Sequence, residues 1–153
     1  MPAELHPIVL HFAIALLVTG PALDLLGLLL KRESLLTAGR WNTLVGAGVL
    51  VLTALTGLGA EASLGPHSAA GAAMLSLHKG LGFVLVAVWV PAAVWRGLSK
   101  HLLPVRLRTL YLSLSYLGAA LVLAQAALGS ALIYRHGVGL SAAARSEPMV
   151  RQK

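Results

Sequence analysis

LHPIVLHFAIALLVTGPALDLLGLLL, residues 5–30, is the stretch that decides the fold. From Pro7 to Leu30 it holds one acid, Asp24, and no lysine or arginine. A helix that spans a bilayer needs roughly 20 mostly apolar residues, so this run is long enough to cross. Pro7 falls in the first turn, where its missing N–H costs nothing. Two histidines, His6 and His11, stand at the head of the run. Titratable rings so close to hydrocarbon need a reason.

Three more runs share the pattern. Residues 41–61 carry no charge before Glu61, residues 69–95 are interrupted only by His78 and Lys79, and residues 109–134 are uncharged. Pro21 and Pro91 lie inside spans and predict kinks. The connections at 31–40, 61–68 and 96–108 are short, and short connections make neighbouring helices antiparallel. The sequence therefore predicts an all-α integral membrane protein, a four-helix bundle running up-down-up-down. Its domain occupies residues 1–140, with a basic, polar tail at 141–153.

Composition supports a bilayer as the solvent. The chain has 153 residues, 58% of them apolar and only 11% charged, where a soluble domain carries about 25% charged residues. A chain this short has too little interior to hide that much apolar surface. The net charge is +7, but the bases sit in clusters between apolar runs, which suits the positive-inside rule better than nucleic acid. There is no cysteine, so thiolate metal sites and cysteine nucleophiles are excluded. The N-terminus lacks a basic segment and does not read as a signal peptide. Lys31, Arg32, Arg40, Arg96, Lys100, Arg106 and Arg108 fall in the first and third connections. That bias places those connections in the cytoplasm and both termini outside, although Lys79, Arg135, Arg145, Arg151 and Lys153 pull the other way.

On this topology five of the six histidines gather at one face: His6, His11, His67, His78 and His136, with His101 alone on the other. Histidines near headgroups often serve only as amphipathic anchors. His11 and His78 lie within apolar runs, where ionisable groups are functional candidates by default. Two imidazoles on different helices suit the axial ligation of haem iron, and bundle cores present such ligands. Lys79 and Arg135 stand where haem propionates would want cations. Copper or zinc would accept three or four imidazoles, and a quinone would take histidine hydrogen bonds. His6 and His11, five residues apart, differ by about 140° in direction and about 7.5 Å in height on a regular helix, so they do not grip one metal together. The preferred pair is His11 with His78, leaving His6 and His136 for the rim or for supporting contacts.

Asp24 is expected to hydrogen-bond a neighbouring helix, through Thr53, Thr56 or Gln125, or to serve a proton path. Glu61 is placed to orient a histidine. Gly46, Gly48, Gly57 and Gly59 make the second span small-faced for close packing, as do Gly80, Gly82, Gly118 and Gly129 on the later spans. There is no G-x-S-x-G, phosphate loop, H-E-x-x-H or carboxylate pair. No catalytic residue is assigned, and an electron carrier or binding protein is expected rather than an enzyme.

The run HPIVLHFAIALL (residues 6–17), followed by Asp24, resembles the His-Pro-x-x-x-His-Phe-Pro-Ile-Ala-Leu opening of a bacterial membrane family, domain of unknown function 2231. LTALTGLGA (52–60), LHKGLG (77–82) and GSALIYRHGVGL (129–140) resemble its later motifs. Ala13 departs from the proline common in the family. The resemblance implies a four-helix protein of the bacterial inner membrane, with His11, His78, His6 and His136 at motif positions. The expected function is that of a small b-type cytochrome, with haem b near the periplasmic face. Lipid, a quinone or periplasmic redox protein, and a second copy of the chain are its expected partners. The alternative is a non-catalytic subunit or a copper- or zinc-binding membrane protein.

Overall fold

The computed structural model describes residues 5–99 and 101–139. Lys100 and the 141–153 tail, with Arg145, Arg151 and Lys153, lie outside the described residues. Four helices make up the fold: α1 (Leu5–Leu29), α2 (Glu33–Glu61), α3 (Ala69–Leu98) and α4 (Arg108–Tyr134). All four are long and apolar enough to cross a membrane. In the most apolar stretch of each, at most 33% of the residues are buried within the chain, so most of the apolar surface is left for lipid. Phe12, Leu29 and Leu98 are among the large side chains left exposed.

The helix ends follow local chemistry. Lys31 closes α1 in a left-handed conformation (φ 53°), and Arg32 N–H reaches back to Gly27 O at 3.0 Å. Glu33 then opens α2 with a negative charge in the first turn, which complements the helix dipole. The connection expected over 31–40 is therefore only a tight turn, because α2 extends beyond its most apolar segment. Ser68 caps α3 by accepting from Gly71 N–H at 3.1 Å. At the far end of α3, Arg40 donates to Gly97 O at 2.9 Å, Ser99 O at 3.3 Å and His101 O at 3.4 Å, a cation set on a helix C-terminus. Both α1 and α3 run on as single helices through Pro21 and Pro91.

Each helix packs on two neighbours: α1 and α3 both touch α2 and α4, and lie diagonally across the bundle from each other. The tightest seam is α1 against α2. Added Cβ atoms on the glycines would strike Leu17 from Gly46, Thr43 from Gly20, Asp24 from Gly39 and Leu36 from Gly27. Each step forward along α1 is matched by an equal step back along α2, so the pair is antiparallel and in register. Glycines seven apart on both helices, at 20 and 27 and at 39 and 46, let the backbones approach. Gly48 and Gly80, also expected to pack, face open space.

Apolar packing fills the middle of the bundle with Ala13, Leu17, Leu50, Leu85, Trp89 and Val122. A second cluster around Ala92, Leu103 and Tyr111 lies toward the connections α1–α2 and α3–α4. That end is called the arginine end below, and the opposite one the histidine end.

Candidate functional site

A polar cluster lies at each end of the bundle. At the arginine end, Arg96 of α3 is fully buried (0% exposed), as are Asp24 and Tyr111. Its guanidinium makes a two-pronged ion pair with Asp24 of α1, through both carboxylate oxygens, the second at 2.7 Å. It also donates to Leu36 O of α2 at 2.9 Å and to the Tyr111 hydroxyl of α4 at 3.0 Å. One side chain thus binds all four helices. The Asp24 carboxylate fits because Gly39 has no side chain: a Cβ there would overlap it and lie 3.0 Å from Gly20 O.

This corrects two expectations. Arg96 is not a connection cation, because α3 continues past it to Leu98 and folds it inward. Nor is Asp24 served by Thr53, Thr56 or Gln125. The antiparallel register carries Thr53 and Thr56 to the other end of α1, and Gln125 to the histidine end of α4. Arg96 and Tyr111 escaped the sequence reading, although a lone buried acid called for a cation, and Arg96 directly follows an apolar run.

At the histidine end, His6 Nδ1 lies 3.0 Å from Thr53 O and 3.4 Å from the Thr56 hydroxyl on α2. A carbonyl only accepts, so Nδ1 carries the hydrogen and Nε2 keeps a lone pair, the arrangement typical of a metal-ligating imidazole. The ring lies against Gly57, where an added Cβ would come within 3.0 Å of Cε1. His78 of α3 is held by Gln125 of α4, whose carboxamide nitrogen donates to His78 O at 2.9 Å and faces His78 Nε2 at 3.2 Å. An added Cβ on Gly129 would lie 3.3 Å from the His78 ring. His6, held against α2, and His78, held against α4, are two half-buried imidazoles on diagonal helices at the same end of the bundle.

Neither end is fully paired. His78 Nδ1 and Gln125 Oε1 are buried without a hydrogen-bond partner, and so is Arg96 Nε at the arginine end, whereas more than 90% of buried polar groups are normally satisfied. The ends differ in kind: an ion pair engages both Asp24 oxygens at one, and two imidazole rings occupy the other. Residues 51–61 of α2 and 72–84 of α3, which flank the histidines, include no fully buried position. Side chains there are less deeply buried than in the middle of the bundle.

The remaining sequence candidates are placed as follows. His11 is exposed, with Nδ1 turned to Pro7 O of its own helix. The structure therefore does not join His11 to His78; His6 is the α1 histidine that turns to a neighbouring helix. The reason is register: His6, Ala13, Leu17, Gly20 and Asp24 follow one seam of α1, and His11 falls off it. Glu61 pairs with Lys79 at 2.7 Å rather than with a histidine. Arg135 is exposed at the end of α4. His136 is half-buried, its Cβ near the start of α3 at Gly71, above the pair rather than in it. His67 turns to Gly65 O at 3.0 Å. Among the described residues no three His, Asp or Glu side chains cluster as metal ligands.

Fold and burial together define a four-span helical membrane protein with a buried ion pair at one end and two half-buried histidines at the other. The family model described as predicted membrane protein (DUF2231) matches residues 2–142, and the chain belongs to that family. No curated protein and no solved structure matches it.

Proposed function

We propose that this chain is a small b-type cytochrome-like protein of the bacterial inner membrane, holding haem b between its helices at the histidine end for electron transfer. The observation that carries this is the placement of His6 and His78, both half-buried and on diagonal helices, at one end of the bundle, with His78 Nδ1 and Gln125 Oε1 left unpartnered there. His6 could hold the iron as it stands, since Thr53 O fixes the ring and leaves Nε2 unengaged. His78 fits once the Gln125 carboxamide yields Nε2; that carboxamide is then free to hydrogen-bond elsewhere in the site. When bound, the iron would supply a one-electron couple. Lys79 and Arg135 are the rim cations for propionates, Lys79 by exchanging its partner Glu61. His11 is not a ligand in this reading.

Lys31, Arg32, Arg40, Arg106 and Arg108 remain at the arginine end after Arg96 is removed from the count, which favours a cytoplasmic location for it and a periplasmic one for the haem and both termini. One haem near one face does not carry an electron across the bilayer, so a quinone, a periplasmic redox protein or a second copy of the chain would complete the path.

The test is the visible spectrum of the detergent-purified chain, oxidised and then reduced. A Soret band with sharp reduced α and β bands is expected. A preparation that stays colourless, even after haem is added, overturns the proposal. If it also holds stoichiometric copper or zinc, the His6–His78 pair serves that metal instead, as two of its ligands.

A further inference from the structure

The arginine end holds a second candidate site, remote from His6 and His78. A cavity of about 1050 Å³ opens there among the start of α2, residues 101–107 and the start of α4. Leu36 and Leu103 contribute to its apolar wall, and Arg40, Arg108 and His101 to its polar rim. Glu33 is the one acid on it. The Arg40 guanidinium is anchored by the α3 carbonyls, so its charge is held in place instead of swinging into water. Arg108 is exposed, and no hydrogen bond or ion pair among the described residues engages its side chain. The first turn of α4 borders the same space and has no acid and no side-chain cap.

We infer that this cavity binds the headgroup of an anionic phospholipid, with the root of its acyl chains against the leucines. Three features select that ligand. The cavity sits at the end of a bundle of four helices long and apolar enough to cross a membrane, where headgroups would lie. Its rim carries more positive than negative charge, which matches a phosphodiester with a net negative headgroup. Its wall is apolar, which a free inorganic anion would not use. The inference depends only on which ends of the helices lie together, and not on haem or on orientation.

Native mass spectrometry tests it on the purified full chain, offered equal amounts of dioleoyl phosphatidylglycerol and dioleoyl phosphatidylcholine. One phosphatidylglycerol per chain should be retained in preference. Arg108→Gln should weaken that retention about fivefold, the effect expected of one arginine at a membrane surface. Arg32→Gln, at the same end but off the cavity, should leave it unchanged. Equal retention of the two lipids overturns the inference. So does an Arg32→Gln loss as large as that of Arg108→Gln, which would reveal only diffuse attraction. Displacement of the lipid by millimolar glycerol phosphate would also overturn it, assigning the cavity to a soluble anion.

Discussion

The two polar clusters draw on the same four helices and are built differently. At the arginine end, both carboxylate oxygens of Asp24 are engaged by Arg96, which also binds Leu36 O and Tyr111. At the histidine end, each ring is held on one side and polar atoms remain unpartnered. Removing charges from water is costly, and a buried pair holds only when geometry and added hydrogen bonds compensate. At the arginine end opposite charges meet and the guanidinium reaches all four helices, so the pair acts as a crossbar even though Arg96 Nε has no partner. The histidine end has no such ion pair between its rings, and each ring is tied to one neighbouring helix.

The comparison is broken most severely by cutting the crossbar. Asp24→Leu leaves the Arg96 charge buried without its counterion, and a loss of about 3–5 kcal/mol is expected. Thermal denaturation in detergent, followed by circular dichroism, would show it. The double variant Asp24→Leu with Arg96→Leu should recover much of the loss, because replacing a whole buried pair by apolar groups is often neutral. If the double variant is as unstable as the single one, Tyr111 and Leu36 contribute more than this account allows.

Gly39→Ala sharpens the same point with a smaller change. The new methyl would overlap the Asp24 carboxylate, and overpacking of this kind costs about 1–3 kcal/mol. A melting temperature equal to that of the parent would mean that the α1–α2 seam is looser than described. Smallest of all is the exposed rim pair. Lys79→Gln removes an ion pair with side chains 41% and 33% exposed, and surface pairs are worth about 0–1 kcal/mol. Its stability should barely move, and a large drop would show that the histidine end is more closed than its packing indicates.

Much of the fold was legible because length and hydropathy are local properties. Four apolar runs bounded by charges gave four spans, and short connections gave their order. The ends of helices were less legible: hydropathy reports the membrane-embedded part, while α2 begins at Glu33 and α3 continues through Arg96 for reasons of capping and pairing. The choice between His6 and His11 was the costliest ambiguity. Both head the same apolar run, and depth within it favoured His11. The glycines at 20, 27, 39 and 46 already carried the answer, since their spacing marks the α1–α2 seam, and stepping back along it from Asp24 leads to His6. The partners of His78 and Asp24 were not legible, because Gln125 and Arg96 are distant in sequence and are brought in only by the antiparallel register.

The central claim is that His6 and His78, and not His11, form the ligand site. Reduced-minus-oxidised difference spectra of His6→Ala, His78→Ala and His11→Ala, each loaded with haem under the same conditions, test it directly. The account predicts that the sharp α band disappears in the first two and survives in the third. An α band lost only in His11→Ala would contradict it.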